Sequence, residues 1–520
     1  MTNISPVNTR EAAEPSANLS SYFTSESASE DIFDSVFGRD LQQQMEVTKT
    51  SISPCVMPLT DVKDTATLCL LRQYDAWLPS EATRHVLFDR SPTKSATGPA
   101  IRPFLSDQDY EASTKLLTDP YLDILANHQR DITELSVSRT LPTSDDFDQP
   151  DCEQLKNLIT NGWYRAALYW TRQFLSRWGY REDCGGAVLT PWSAQVWLTR
   201  LTLLVRVQNF DVAEKELASF QTLDSPNIYF EYSPELYPGR FGSIIPFSLR
   251  LLHAVFPYYR GRVEEALDRL YYLLATIGRI RCNLNKGYTE DGSTQQPDSS
   301  YAASSLSIWT CREVRVLSNA LSIYLSEMDY MAAVETVHQI ASVCSNDPSI
   351  LRGLSSVLGR IYLQLGDLET SKLYFSRSAP SADAQRQLPT NTEQLFQRAL
   401  LSVGRGEYDD AKKLFQQILS IDPTNVAAAN NMVVCSLYVG HLSAAMHILE
   451  TLTSGGLSGE THCSNQSDIQ RRLMLHESLV YNLAVLYEVE SDGAMNRKLQ
   501  LLEKVAYLPG EHVSISAFKL

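Results

Sequence analysis

From about residue 150 onward, apolar residues recur every three or four positions and strand-like alternation is nearly absent. Turn-forming residues arrive every 15 to 20 residues, so the pattern predicts consecutive pairs of helices. Within GRGEYDDAKKLFQQILSIDPTN (404–425), a glycine, an aromatic, a small residue and a second aromatic stand at fixed intervals. Gly440 follows Gly406 after 34 residues, which predicts that one helical hairpin is repeated.

These intervals match the tetratricopeptide repeat, which has small residues at repeat positions 8 and 20 and bulky residues around them. The small residues face each other where the two helices of a pair come closest, and the bulky ones fill the space above and below. The sequence therefore predicts an all-α tetratricopeptide-repeat helical solenoid. The residues predicted to pack the helix pairs are Gly359, Tyr362, Ala399, Tyr408, Ala411, Phe415, Ala445 and Ala484.

Composition divides the chain into three predicted regions. Residues 1–60 are rich in Ser, Thr, Asn, Glu and Asp and are predicted to be a disordered acidic tail. Residues 61–149 are predicted to hold short helices and linkers, and residues 150–520 the repeat array, with loops at 283–305 and 454–470. The apolar residues at 21–37 could fold into a helix on a partner, or the tail could be solvated without a partner.

The formal net charge of -16 argues against nucleic acid as the main ligand and against direct adsorption to anionic lipid. No apolar segment follows Met1–Arg10, and no run reaches the roughly 18 apolar residues of a membrane span. The nine cysteines are scattered without a CxxC pair, as in a reduced cytosolic protein. We therefore expect a cytoplasmic protein that reaches membranes only peripherally, through partners.

The sequence supports no catalytic, cofactor-binding or metal-binding site. GGLSGE (455–460) lacks the lysine of a phosphate-binding loop and the spacing of a nucleophile elbow. His462, Cys463 and His476 match no common zinc-ligand spacing. We therefore expect a protein that is not an enzyme and needs no cofactor.

The first helices of the repeats are predicted to line a partner-binding groove. Receptors of this class that clamp a peptide carboxylate present Lys and Asn there, whereas the positions here are mostly apolar, which suits an apolar segment of a partner. The alternative is that they pack against the chain's own N-terminal region or its next superhelical turn. The predicted groove residues are Phe396, Leu400, Val403, Asn430, Val434, Leu437, Tyr438, Tyr481 and Val485.

With the repeats placed, three blocks resemble the subunit 12 family of the trafficking protein particle (TRAPP) complex. They are ILSIDPTNVAAANNMVVCSLYVGHLSAAMHILE (418–450), LHESLVYNLAVLYEVES (475–491) and, ahead of the repeats, DAWLPSEATRHVL (75–87). The likeness covers roughly residues 61–520.

The resemblance implies a non-catalytic scaffold or adaptor of the metazoan type III complex, a vesicle tether and Rab exchange factor in endoplasmic reticulum to Golgi transport and autophagy. It implies contact with the accessory subunits 8, 11 and 13, an indirect link to a Rab GTPase, and a peripheral location at the intermediate compartment and Golgi. The exchange chemistry would belong to the small core subunits. The alternative is a stand-alone tetratricopeptide receptor for an apolar linear motif of a cargo or chaperone.

Overall fold

The structure, a computed structural model, describes most of the chain from residue 71 onward. The predicted tail (1–60) and nearly all of the predicted loop at 454–470 lie outside the described residues. The described residues are 71–88, 101–106, 118–139, 152–181, 187–295, 299–345, 347–378, 392–423, 425–454, 476–490, 493–508 and 510–520.

Three short helices precede the array: α1 (Glu81–Phe88), α2 (Pro120–Asn127) and α3 (Thr133–Ser138). The array itself consists of helix pairs, and three residues separate the two helices of each pair. The pairs are α4 (Cys152–Thr160) with α5 (Tyr164–Arg177), α6 (Pro191–Arg206) with α7 (Phe210–Ser219), α8 (Phe247–Tyr259) with α9 (Val263–Asn285), α10 (Ser299–Ser326) with α11 (Tyr330–Val343), α12 (Pro348–Gln364) with α13 (Leu368–Ser378), α14 (Thr392–Gly404) with α15 (Tyr408–Ile421), α16 (Val426–Tyr438) with α17 (Leu442–Ser454), and α18 (Glu477–Glu490) with α19 (Ala494–Ala506).

Short 3-10 helices lie at Pro226–Ile228, Phe230–Tyr232 and Ile515–Phe518. The parts of the chain that the structure describes contain no β-strand, only isolated bridges. The predicted all-α array of helix pairs is confirmed.

The turns inside the first seven pairs share one backbone conformation. In each, the residue two positions after the first helix has a positive φ of 61° to 88°. The backbone N–H of the residue that follows then donates to the carbonyl five residues earlier, which closes the first helix. For example, the Glu407 N–H donates to the Ser402 carbonyl at 2.9 Å. Five of these residues are glycines, which adopt this conformation readily. The seven residues are Gly162, Gln208, Gly261, Met328, Gly366, Gly406 and Gly440.

Side chains at the helix starts explain where several first helices begin. Thr190 accepts a hydrogen bond from the backbone of Ser193 and starts α6, with a proline at the first helical position. Asp347 does the same for α12, again before a proline, and Asn425 caps α16. These polar residues fix the boundary between successive pairs.

The first part of the array, α4 to α10, shares one large core around Trp170, Trp197 and Trp309, which are fully buried. The predicted loop at 283–305 is shorter in the structure, because α9 continues to Asn285 and α10 begins at Ser299. The buried carboxylate of Glu290 within it accepts hydrogen bonds from Tyr301 and Ser305 of α10. The described part of this loop, up to residue 295, is therefore packed onto the array.

Candidate partner-binding surface

The predicted groove is carried by α14, α16 and α18, the first helices of the last three pairs. Three of its predicted residues lie in the interior, because Phe396, Leu400 and Val403 are only 8%, 5% and 9% exposed. The Phe396 ring meets Phe415 edge-on at 5.6 Å, and the guanidinium of Arg360 lies 5.6 Å from its centre. These α14 side chains fill the space between α14 and α15 and offer a partner little surface.

The other six predicted residues remain at least partly accessible. Tyr438 is 48% exposed, and its ring stacks on Tyr408 at 4.5 Å. The amide of Asn482 donates to the side-chain oxygen of Asn430 at 2.5 Å and ties α18 to α16. An aromatic pair and an amide pair beside partly buried aliphatic residues suit an apolar segment held by one or two hydrogen bonds. The six residues are Asn430, Val434, Leu437, Tyr438, Tyr481 and Val485.

A cation lies at the edge of this surface, which the repeat pattern did not predict. The ammonium of Lys519, near the C-terminus, lies 5.7 Å from the centre of the Tyr481 ring and 2.9 Å from the carboxylate of Glu488. Lys498 and Lys519 together hold the pKa of the Glu488 carboxyl below its usual value by hydrogen bonding. Lys519 therefore shares its countercharge, Glu488, with Lys498.

The residues predicted to pack the helix pairs lie at contacts between helices. A Cβ added to Gly359 would lie 2.6 Å from the Phe375 ring, and the Ser371 hydroxyl donates to the Gly359 carbonyl at 2.7 Å. Tyr362 is partly buried and stacks on Tyr374 at 5.4 Å. Repeat positions 8 and 20 of this pair, Gly359 and Ser371, thus touch directly. Five further predicted residues are fully buried, namely Ala399, Ala411, Phe415, Ala445 and Ala484.

A segment from ahead of the array packs on the first helices α8 and α10. Trp77 is 6% exposed and lies 6.3 Å from Phe247 and 6.4 Å from Trp309. The Arg250 guanidinium lies 4.6 Å from the centre of the Trp77 ring, and Arg312 donates to the Tyr74 carbonyl at 2.9 Å. The block DAWLPSEATRHVL, singled out by its resemblance, therefore contributes Trp77 to the array's core.

The same segment carries a partly buried carboxylate. Asp75 accepts a hydrogen bond from Arg240 Nε at 2.8 Å, and its backbone carbonyl accepts from the N–H of Ser243 at 2.7 Å. Burial raises the pKa of Asp75 to about 6, although the Arg240 charge opposes that rise. A Cβ at Gly242 would lie 2.2 Å from the Asp75 carbonyl oxygen, so only glycine allows this approach.

A second non-repeat segment joins the last helix to α2 and α3. Arg139 and Asp119 form an ion pair in which both side chains are 1% exposed. The guanidinium also donates to the carbonyls of Ala506 (3.1 Å), Leu508 (2.5 Å) and Gly510 (2.8 Å). Because these carbonyls lie at the end of α19, Arg139 supplies a positive charge at the negative end of that helix.

The residues after α19 continue to the first pair of the array. The Glu511 N–H donates to the Gly162 carbonyl at 2.9 Å, and a Cβ at Gly510 would lie 2.1 Å from the Asn161 carbonyl. Burial raises the pKa of the Glu511 carboxyl to about 7, against the nearby charge of Arg165. The two ends of the array are therefore in contact. We call residues 507–520 the C-terminal strap.

The titratable groups of the described residues do not assemble into a reactive centre. No three His, Cys, Asp or Glu side chains within those ranges are placed to hold a metal ion. Burial beside Arg269 and Arg250 lowers the pKa of His253 to about 4. The His253 ring lies 3.5 Å from the Arg269 guanidinium, a contact between α8 and α9. Of the helices that the structure describes, none combines the length and apolarity needed to cross a bilayer.

Comparison with known proteins agrees with the predicted repeats and with the resemblance. Residues 402–455 match the tetratricopeptide repeat family. The chain is 33% identical over 452 residues to trafficking protein particle complex subunit 12 from Mus musculus, covering 86% of this chain and 54% of the mouse protein. For the Homo sapiens protein of the same name, the identity is 33% over 456 residues, which cover 86% of this chain and 58% of the human protein. The resemblance predicted from the sequence is confirmed.

The chain spans a little over half the length of these two relatives. Among solved structures, a tetratricopeptide repeat protein from Parabacteroides merdae is 15% identical, covers 60% of this chain and 99% of its own, and superposes with a TM-score of 0.30. Yeast Tom70 is 11% identical, covers 90% and 83%, and superposes with a TM-score of 0.26. Superpositions this loose add nothing to what the helices themselves show.

Proposed function

We propose that this chain, a relative of TRAPP complex subunit 12 over 86% of its length, is a non-catalytic scaffold subunit of a TRAPP-type vesicle-tethering complex. The identity of 33% across the array and the upstream block carries the proposal. An array of helix pairs presents a long surface on which several polypeptides can dock, which is the task of a scaffold. The buried polar groups described above act in packing and joining segments, as a scaffold requires.

The finer assignment follows from the same likeness and is part of the proposal. The chain would act in the type III form of the complex, in endoplasmic reticulum to Golgi transport and autophagy. Its neighbours would be the accessory subunits 8, 11 and 13, and the Rab GTPase would be reached through the core subunits. The chain would be cytoplasmic and peripheral at the intermediate compartment and Golgi, held there by partners.

We also propose the domain division into a tail (1–60), a lead-in region (61–149) and an array (150–520). The contacts of Trp77 and Arg139 with the array indicate that part of the lead-in region folds together with it. Limited proteolysis of the full chain tests the division. We expect early cleavage before residue 60 and late cleavage within 71–88, and equal rates at both places would contradict it.

The complex is tested by affinity purification of the tagged full chain from cytosol, followed by quantitative mass spectrometry. We expect enrichment of TRAPP subunits over an untagged control, with subunits 8, 11 and 13 the most abundant. Recovery of the folded chain without any TRAPP subunit would contradict the proposal.

A stand-alone receptor for an apolar linear motif is the second candidate, favoured by the accessible Tyr438 on α16. We would replace Tyr438 and Val485 by Glu, since changing the buried Phe396 would damage the fold. The matched control replaces Leu365 and Leu373, which are 44% and 49% exposed on another pair. If Tyr438→Glu with Val485→Glu leaves the recovered TRAPP subunits unchanged, this groove does not dock the complex. The receptor role requires that the same double change, and not the control, abolish binding of an apolar peptide.

A further inference from the structure

Exposed methionine and tyrosine side chains gather where α10 ends and α11 begins. Met328 and Met331 are 70% and 72% exposed, and Tyr271 of α9 is 45% exposed. The Tyr271 hydroxyl lies 2.7 Å from the hydroxyl of Tyr324, which joins α9 to α10. These four residues form a surface that we call the methionine–tyrosine patch.

Carboxylates surround the patch. Glu327, Asp329 and Glu335 are exposed, and burial, the Tyr271 bond and the charges of Asp329 and Glu335 raise the pKa of the Tyr324 hydroxyl. Within the described residues, Glu327 and Glu335 form no ion pair. The carboxylates of Glu327 and Glu335 therefore give the rim of the patch a negative charge, whereas the carboxylate of Asp329 caps the start of α11 by accepting from the Ala332 N–H at 3.1 Å.

Met328 is held in a backbone conformation that side chains disfavour. Its φ is +61°, and five of the seven equivalent turns carry glycine at this position. Gln208 is the other exception, also with φ +61°. The shared turn requires this φ, and it directs the Met328 side chain into solvent, where it is 70% exposed.

We propose that the methionine–tyrosine patch and its acidic rim bind a basic amphipathic helix of a partner polypeptide. Methionine side chains adapt their shape to the apolar face of a helix, and tyrosine faces attract lysine and arginine. The carboxylates select a basic partner over an acidic one by charge complementarity. This surface is separate from the groove on α14 to α18, and the inference does not depend on which complex the chain joins.

Fluorescence anisotropy with a labelled peptide of two LKKLLKL units tests the proposal on the full chain at physiological salt. We expect binding that weakens by at least about tenfold in Met328→Gly with Met331→Ser. Gln208→Gly is the matched control, because it makes the same change at an equivalent turn outside the patch. Thermal melting followed by circular dichroism verifies that the variants fold, and glycine at Met328 relieves the strained conformation.

A second pair of variants separates the site from general attraction to a chain of net charge -16. Glu327→Gln with Glu335→Gln should weaken binding several-fold, whereas Glu369→Gln with Glu407→Gln removes the same charge elsewhere and should not. Equal effects of the two double variants, absence of peptide binding, or equal binding of a LEELLEL peptide would overturn the proposal. Self-association of the chain that is lost in Met331→Ser would also overturn it, since the patch would then bind a second copy.

Discussion

The first part of the array, α4 to α10, and the later pairs, α12 to α17, use the same turn but hold themselves together differently. The first part buries three tryptophans in one core and is covered by residues 71–88 and 101–106 from outside the repeats. Both parts bury a small residue where the helices of a pair approach closely, such as Ala213 in α7 and Ala411 in α15. The cores around α12 to α15, however, are made of repeat helices alone. Regular repeats can therefore hold together by local packing, whereas irregular ones depend on segments distant in sequence.

Buried charged side chains also differ between the first part of the array and the later pairs. In the first part, Arg200 of α6 makes a fully buried pair with Glu216 of α7 at 2.7–3.0 Å, and Arg250 stacks on Trp77. In the later pairs, the residues at the same distances from the turn include the uncharged pairs Leu358 with Tyr374 and Met432 with Ile448. Buried ion pairs constrain geometry strongly and are costly to break, so we expect the contacts that contain them to be the most sensitive to substitution.

The largest expected effect is from Arg139→Met. The change leaves the Asp119 carboxylate buried without a countercharge and removes the donor to three carbonyls at the end of α19. We expect the free energy of unfolding to fall by about 3–5 kcal/mol. Urea unfolding measures it.

The control for that experiment is Arg130→Met, which removes an ion pair with Glu503 whose side chains are partly exposed, at 26% and 29%. Arg130→Met should lower the free energy of unfolding by less than about 1 kcal/mol. Similar losses in the two variants would contradict the role of Arg139.

The C-terminal strap should make stability depend on pH through Glu511. Its pKa is about 7 in the folded chain and near 4.5 when unfolded, so the folded state keeps the proton more tightly between these values. Arg165 and Arg139 favour the ionised form and Asp119 opposes it, but burial dominates. The free energy of unfolding should therefore fall as pH rises from about 4.5 to 7, by about 1–3 kcal/mol, and then level off.

Glu511→Gln should remove this part of the pH dependence. Asp75, with a pKa of about 6, contributes a smaller slope of the same sign that remains in the variant. Urea unfolding of both proteins between pH 5 and 8 measures the difference. Parallel pH profiles would show that Glu511 is solvated and that the strap does not cover it.

Two glycines of α12 should respond to alanine with opposite signs. Gly359→Ala places a Cβ 2.6 Å from the Phe375 ring, and we expect a net loss of about 1–2 kcal/mol from overpacking. Gly353 has open space around it, so Gly353→Ala should gain about 0.5–1 kcal/mol from reduced chain entropy. Thermal melting compares the two, and a stabilising Gly359→Ala would contradict the predicted repeat register.

The smallest effect is expected at the strained turns. Met328→Gly and Gln208→Gly should each raise the free energy of unfolding by about 0.5–1 kcal/mol, because glycine adopts their positive φ without strain. Gly406→Ala, at the equivalent turn of a regular pair, should lower it by a similar amount. If all three substitutions changed the free energy of unfolding in the same direction, the shared positive φ would not be what decides which residue these positions favour.

Much of the later array could be predicted from the sequence because its contacts repeat. The spacing of Gly406 and Gly440 reports a turn that needs a positive φ, and the small residues report close helix contacts. The register also indicated which helices line the groove. It could not show that Phe396 turns inward against Phe415, since that depends on the neighbouring helix and on Arg360.

The contacts outside the repeats gave no periodic signal. Nothing in the spacing of Trp77 places it between Phe247 and Trp309, and nothing in residues 507–520 predicts Glu511 against Gly162. Such contacts join residues hundreds of positions apart and occur once each. The resemblance of residues 75–87 to the TRAPP subunit 12 family was the one indication that the upstream segment folds together with the repeats.

Amide hydrogen exchange at single-residue resolution tests most directly whether non-repeat segments hold the first part and the ends of the array. The N–H of Ser243 bonds to the Asp75 carbonyl and that of Glu511 to the Gly162 carbonyl. We predict that both amides exchange as slowly as those inside α15, and that Arg139→Met accelerates Glu511 but not Ser243. Exchange of both within seconds in the unmodified chain would contradict the account, since the array would then stand without these segments.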